Sequence, residues 1–420
     1  MTIAGHHERE MLSFRRRNSA ACLGVLRDHG VLTLAALSRL TGLSRPTIES
    51  IVGEQAIAGL VREEAEPAST GSRAGRPARR FSFNASAAFA ASVDLGLHRV
   101  TALISDLSGE IIGFAQRDLP PAIAGGDLVA AMSAVLHDAL VSCDLGESQL
   151  AAVVVCVSGI VDDHGRVLQS NVLPEWNGVD LAARFSSGLD CPVVVENDVN
   201  MAAVGEMHAG AARQADDVVF VMVGHRISAA IILNGALHRG RNFAAGEVGD
   251  LAPTGWGYED VREISVLGAF LGRSPEDVFA AAEAGDPEAN SLVRQFAHRI
   301  VRGIAVVGLT VDPDLIVIGG GLSAAGDVLL DAISIEFDAL VNRRLRPAMV
   351  SSSIGMNGVA LGGLVRALEL VSERLYGSSD VTVPPLRVAG LSAEQALAPL
   401  GSQLLALTGN RIRHDGKVPA

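Results

Sequence analysis

The chain has 420 residues, 49% of them apolar, 19% charged and 4% aromatic, with a formal net charge of −13. That length allows roughly two to four folded units, and the composition excludes global disorder, collagen-like repeats and small stapled scaffolds. Charge is divided unevenly: residues 1–90 hold twelve arginines against eight acids, and residues 91–420 hold twenty-two bases against thirty-nine acids. A mildly basic head on a strongly acidic body is the footprint of a DNA-reading module joined to a domain that does not bind DNA.

In chain order, the N-terminal MTIAGHHEREMLSFRRR lacks the apolar run of a secretory signal, which places the protein in the cytoplasm. Residues 15–29 carry Cys22, Leu23 and Leu26 on one helical face, with Gly30 as a stop. Thr33 caps a short second helix, LAALSRLTG, in which Leu34, Leu37 and Leu40 recur every third residue before Gly42 forces a turn. Ser44 caps a third helix from about Arg45 to Gly59, with Pro46 in its first turn and Ile48, Ile51, Val52 and Ile57 facing inward. This is a helix-turn-helix pattern, and in that motif the N-terminal residues of the last helix reach base edges in the major groove. Ser44, Arg45 and Thr47 are therefore the candidate readers, with Ser50 a weaker one; an ordinary three-helix bundle would explain the same spacing. No acid occurs from Ala68 to Asn84, where Arg73, Arg76, Arg79 and Arg80 cluster around a Gly-Arg-Pro core. Such a segment suits a narrow minor groove or serves as a flexible linker, and the alternating RFSF at 80–83 reads as the return strand of a wing.

From Ala90 the pattern turns to α/β. ASVDLG, VTALISDL and GEIIGFAQRDL read as three strands, the last two joined by a turn over Leu107–Glu110. A helix at about 127–142, a buried strand AAVVVCVSGIV at 151–161, a helix near 178–188, the strand PVVVEND and the helix VNMAAVGEMHAG complete a first lobe. DVVFVMVG, ISAAIILNGAL and DLIVIGGGLS, with a helix at about 358–375, belong to a second. The mean hydropathy is +0.32, yet no apolar run reaches the ~18 residues of a membrane span. The four cysteines, Cys22, Cys143, Cys156 and Cys191, form no C-x-x-C pair, which argues against a disulfide framework and a thiolate zinc site. Two lobes leave a cleft, and clefts hold ligands; Asn197-Asp198 stand at a strand end, where α/β ligands gather, although an Asx before VNMAAVGE would also serve as a helix cap.

The ordered set SGIVDDHGRVLQSNVLPEWNGVDL, VVVENDVNMAAVGE, AAGEVGD and IVIGGGLS resembles the ROK family of repressors and sugar kinases, and the head resembles its repressor branch; the resemblance covers about residues 15–375. It implies an α/β chain with a winged helix-turn-helix and Arg-rich wing over 1–82. A two-lobed actin/hexokinase-like domain over 88–380 and a C-terminal helix and tail over 381–420 complete it, the helix read from SAEQALAPLGSQLLALTG. By the same resemblance a sugar lies between the lobes, held by Gly159, Asn171, Asn197, Asp198, Glu247, Asp250 and Glu263. Asp198 matches the general base of the kinases.

The departures from the family pattern carry as much weight. The kinase phosphate loop D-x-G-G-T reads Asp94-Leu95-Gly96-Leu97-His98, and the second, G-T-G-I-G-G-G, reads Gly224-His225-Arg226-Ile227-Ser228-Ala229-Ala230. Phosphoryl transfer depends on backbone cradles of this kind, so kinase catalysis is not expected. His98, His225 and Arg226 are scaffold residues or weak anion ligands. Asp250 stands where the family has a zinc-binding His, and LAPTGWGYEDVREIS lacks the cysteine cluster, so no zinc or other cofactor is expected. Glu263 aligns with a terminal sugar-binding glutamate. Gly319-Gly320-Gly321 matches an adenosine-side loop or simply a tight turn. The expectation is a dimeric or tetrameric regulator, a repressor, that binds a double-stranded DNA operator under control of a sugar or sugar derivative. The alternatives are an ATP-dependent sugar kinase with a DNA-binding head, and a regulator controlled by a protein partner.

Overall fold

The structure is a computed structural model that describes residues 3–65, 78–120, 125–224, 227–254, 256, 274–321, 326–376 and 382–389. The head opens with α1 (Ile3–His29), which Gly30 ends in the left-handed conformation while its N–H reaches back to Leu26 O at 3.0 Å. Thr33 ends β1 (Leu32–Thr33) and caps α2 (Leu34–Thr41) by accepting from Ala36 N at 3.2 Å. Ser44 caps α3 (Arg45–Ile57) by accepting from Thr47 N at 3.4 Å. Cys22, Leu23, Leu26, Leu37, Ile48, Ile51 and Val52 form one core. Two expected core residues do not join it: Leu40 is 49% and Ile57 is 91% exposed. A three-residue step falls about 60° short of a full turn, so Leu40 has rotated well away from Leu34, and Ile57 ends its helix beyond the reach of the core.

The wing is a three-stranded sheet in which β3 (Arg80–Phe83) lies between β1 and β2 (Val61–Glu64), antiparallel to both. Phe81 on the central strand is buried under the helices. α1 begins well before the expected start at 15, because residues 3–14 mix histidines, acids and one arginine with scattered apolar residues and show no regular apolar face.

Lobe 1 is built on a six-stranded sheet. In chain order its long strands are β4 (Phe89–Leu95), β5 (Arg99–Asp106), β6 (Glu110–Asp118) and β7 (Leu150–Val157), with α4 (Gly125–Val141) crossing between β6 and β7. The single strand expected over 151–161 is broken: β7 stops at Val157, and Ile160–Val161 forms a separate β8 paired with β9 (Val167–Gln169). The break lies at Ser158-Gly159, where Gly159 has φ +140°. The helix expected near 178–188 shortens to α5 (Leu181–Phe185), followed by β10 (Val193–Asn197) and α6 (Asp198–Ala209).

Lobe 2 starts with the antiparallel β11 (Val218–Val223), β12 (Ile227–Leu233) and β13 (Ala236–Leu237), continues through α7 (Pro275–Glu283) and α8 (Pro287–Val311), and adds β14 (Leu315–Gly319) parallel to β11. α9 (Gly326–Leu340) leads to β15 (Ala348–Ser351), giving the order β13-β12-β11-β14-β15. The last helix, α10 (Gly358–Tyr376), returns to lobe 1, against β4 and β7, while α6 packs on β11 and β12 of lobe 2. The two helices cross with almost no space between them: a Cβ on Gly362 would sit 1.7 Å from Met201 O, and one on Gly205 2.5 Å from Gly358 O. The two crossing helices pack tightly on each other and join the lobes.

Residues 382–389, expected to open a helical tail, instead complete lobe 1. β16 (Arg387–Val388) pairs in parallel with Glu110 and Ile111, covering the outer edge of β6 and giving the order β10-β7-β4-β5-β6-β16. The segment also ties other parts together: Arg27 of α1 donates to Thr382 O at 2.9 Å, and the His208 ring at the end of α6 donates to Pro384 O at 3.0 Å. The helix expected over 392–409 lies outside the described residues. Among the described residues no helix is long and apolar enough to cross a membrane.

Candidate functional site

The break after β7 opens onto a polar cleft. A side chain at Gly159 is excluded, since its Cβ would fall 2.6 Å from Gln169 O. This close approach lets Gly159 O accept a hydrogen bond from Asn197 Nδ2 at 2.8 Å. Asn197 Oδ1 in turn accepts from Asn200 N at 2.8 Å, so the residue is also the N-cap of α6. Both readings of this Asx are realised in one side chain.

Asp198 opens α6, where the helix dipole favours an anion, and its Oδ1 accepts from Val199 N at 2.8 Å. Asn171 follows β9, with its Oδ1 3.5 Å from Gln169 Nε2. Gly159, Asn171, Asn197 and Asp198 face Glu247 and Ser228 of lobe 2 across a cleft of about 370 Å³ counted to its open mouth. Its remaining lining comes from Ser158, Ile160 and Gln169. A wall of amides, carboxylates and hydroxyls, with one aliphatic side chain, suits a compact ligand rich in hydroxyls.

Sequence reading missed Ser158, Ile160, Gln169 and Ser228. For Gln169 a signal existed: it stands two residues before Asn171 at the end of a strand, and alternation places such residues on the same face. The side chain of Asp250 and the whole of Glu263 lie outside the described residues. Trp256, six residues beyond Asp250, is 2% exposed and donates its indole N–H to Ile300 O at 2.8 Å, which anchors this stretch to α8.

A buried carboxyl group outside the cleft lining feels the charge of Asp198. Asp94, at the end of β4, has its pKa pushed up to about 8, first by burial and then by the charge of Asp198, with Arg99 opposing the shift. At neutral pH Asp94 therefore keeps its proton. The turn after Asp94 is tight, with Gly96 N donating to Arg99 O at 2.9 Å; Leu95 is buried while Leu97 and His98 are exposed. His225 and Arg226 lie outside the described residues. At the end of β14, Gly320 has φ +92° and a Cβ there would meet Val223 O at 2.6 Å, so strand packing alone calls for the glycine.

In the head, Arg45 is exposed at the first position of α3, and the Ser44 and Thr47 hydroxyls lie 2.8 Å apart in a shared hydrogen bond. Ser50 donates to Glu54, which also pairs with Arg15. Arg79 forms a bidentate pair with Glu63 at 2.7 and 2.8 Å and lies over the Phe81 ring, 5.1 Å from its centroid. Its guanidinium is thus already engaged within the wing, unlike that of Arg45. Arg73 and Arg76 lie outside the described residues.

These features define a two-lobed α/β protein of the actin/hexokinase type, with a polar cleft between its lobes and a three-helix head bearing a β-wing. A sequence profile of the ROK family matches residues 90–259 and 271–369, and the chain belongs to that family. It is 24% identical over 371 residues to the xylose repressor of Bacillus subtilis, an alignment covering 83% of this chain and 94% of the repressor. It is also 26% identical over 278 residues to a glucokinase of Halalkalibacterium halodurans, covering 59% of this chain and 84% of the kinase. Among solved structures, a ROK family transcriptional regulator homologous to the E. coli MLC protein superposes with a TM-score of 0.67 at 22% identity, over 88% of this chain and 99% of that one. A Streptomyces griseus ROK glucokinase bound to glucose and AMPPNP gives 0.55 at 26% identity, over 66% of this chain and 99% of that one.

Proposed function

We propose that the protein is a DNA-binding transcriptional repressor whose operator affinity is set by a sugar or sugar derivative held between its lobes. The observation that carries this reading is the union, in one chain, of a capped helix presenting an unengaged Arg45 with a hydroxyl-matching cleft on a two-lobed body. The similarity to the xylose repressor spans both parts, whereas that to the glucokinase covers 59% of the chain.

In this reading Asp198 and Asn171 accept and donate to ligand hydroxyls from lobe 1 and Glu247 does so from lobe 2, while Asn197 fixes the wall that presents them. Asp250 and Glu263 belong to the same proposed set. Ligand bound to both walls favours the closed form, and closure repositions the heads of a dimer or tetramer relative to two operator half-sites. A coupling of ~1–3 kcal/mol changes operator affinity about 5–150-fold. Ser44, Arg45 and Thr47 read the major groove, and Arg73, Arg76 and Arg79 follow the backbone or minor groove from the wing.

The body is proposed to be catalytically silent, without zinc or another cofactor. Leu97 and His98 replace the second glycine and the threonine with which the family's kinases bring the backbone to phosphate, and electrostatic positioning is most of what a phosphoryl-transfer enzyme contributes. The glucokinase relatives supply the rival reading. The test is selection of an operator from genomic DNA by the full-length protein, followed by titration with and without a panel of sugars, alongside an ATP-turnover assay with the same panel. Two-fold symmetric half-sites, an operator affinity that falls with one sugar, and no turnover are expected. ATP consumption with a sugar would establish the kinase, and operator affinity unmoved by every sugar would favour control by a protein partner.

A further inference from the structure

Behind the cleft lies a set of charges that does not line it. Glu196, the residue before Asn197, is 7% exposed at the end of β10, and its carboxylate accepts from Arg239 Nη2 at 2.6 Å. Arg366 Nε stands 3.5 Å from the same oxygen, while its Nη1 donates to Glu369 at 2.9 Å. Glu196 belongs to the lobe 1 sheet, Arg239 to the loop after β13 of lobe 2, and Arg366 to α10, which packs on lobe 1. The Glu196–Arg239 pair therefore spans the two lobes directly.

Each partner is joined by a short, stiff connection to one wall of the cleft. Asn197 and Asp198 follow Glu196 at once, held by the cap and the Gly159 bond. Arg239 begins the loop that ends at Glu247; this loop is fixed internally by Ala245 N to Arg239 O at 3.2 Å, and its start is tied to β12 by His238 N to Ile231 O at 2.8 Å. Gly246 presses it onto β12 so closely that a Cβ would lie 2.1 Å from Ala229 O. A shift of Arg239 relative to Glu196 thus becomes a shift of Glu247 relative to Asn197 and Asp198.

We infer that the Glu196–Arg239 ion pair is a reopenable clasp that sets the separation of the cleft's two walls and thereby its affinity for a polyhydroxylated ligand. The inference rests on the sugar-binding reading of the cleft. A buried carboxylate that loses its only partner is costly to leave behind, which would make a single pair a permanent pin. Here Arg366 Nε is buried beside Glu196 and makes no hydrogen bond while the pair is closed. When Arg239 withdraws with lobe 2, Arg366 remains on the lobe 1 side to take the carboxylate. Neither wall is left with a bare charge, so the lobes part at low cost.

The test compares full-length wild type with Arg239→Lys, Arg239→Gln and the double variant Glu196→Gln with Arg239→Gln. Binding of D-xylose and of D-glucose is measured by calorimetry, and hydrogen exchange is followed in residues 193–200 and 238–248 without sugar. The double variant strands no charge and is expected to keep the wild-type melting temperature, yet to bind whichever sugar wild type binds about ten-fold more weakly or worse. Exchange rises in both segments and not in β11 or β14, and Arg239→Lys lies between wild type and Arg239→Gln. Sugar affinity within about two-fold of wild type together with unchanged exchange in the double variant would overturn the clasp. If wild type binds neither sugar, the ligand reading fails for these two probes, and exchange alone decides: a rise in both segments supports the clasp, and no rise refutes it.

Discussion

Asn197 joins two tasks that substitution can separate. Its Oδ1 caps α6 at 2.8 Å from Asn200 N, and its Nδ2 satisfies Gly159 O, also at 2.8 Å. Loss of an N-cap costs about 1 kcal/mol, and a part-buried carbonyl left without its donor costs about 1–2 kcal/mol more. Asn197→Ala removes both and should destabilise lobe 1 by ~2–3 kcal/mol. Asn197→Ser retains a capping oxygen but is too short to reach Gly159, so only the second cost, ~1–2 kcal/mol, remains. Trp176 is buried in lobe 1 and Trp256 in lobe 2, so urea unfolding of Trp256→Phe variants, followed by tryptophan emission, isolates the relevant lobe. Serine as damaging as alanine would refute the capping role, and an alanine cost below ~0.5 kcal/mol would refute both.

Three further outcomes are expected. Asp94 holds its proton up to about pH 8 when folded but ionises near 3.8 when unfolded, so stability declines as pH rises between these values, by at most about 1.4 kcal/mol per unit. Asp94→Asn should flatten that decline and gain on wild type between pH 5 and pH 8 in denaturant titrations; parallel curves would contradict the burial of this carboxyl. Burial lowers the pKa of His208 below its usual 6.5, against the bond to Pro384 O, so folding loses stability as pH falls through 6.5, and His208→Gln should lessen that loss in denaturant titrations. Gly362→Ala places a methyl 1.7 Å from Met201 O and should cost ~3 kcal/mol or more, since backbone rather than a flexible side chain must yield. A variant melting like wild type would show that α6 and α10 are free to separate.

Local rules were legible in the chain. The stops at Gly30 and Gly42, the caps at Thr33 and Ser44 and the wing strand at 80–83 all follow from residue chemistry that acts over a few positions. Ordered motifs likewise led to Asn171, Asn197, Asp198 and Glu247, which the fold gathers in one cleft. α8 was not read from the sequence, although its signals are local: Asp286 caps it, Pro287 opens it, and Val293, Phe296, Ala297, Ile300 and Ile304 trace its buried face.

What the chain alone does not express is contact between distant segments. An apolar run looks continuous across 151–161, and only the passage of β9 beside Gly159 breaks it. The strand at 387–388 has no pattern of its own and exists because β6 offers an unpaired edge. Glu196, Arg239 and Arg366 are unremarkable in sequence, 43 residues separating the first two, and become a linked set only when two sheets and a crossing helix bring them together. Sequence determines where the backbone turns and which faces are apolar, because those effects act between near neighbours. Tertiary structure decides which charges meet and which walls oppose each other, because burial and Coulomb attraction depend on distance in space and not along the chain.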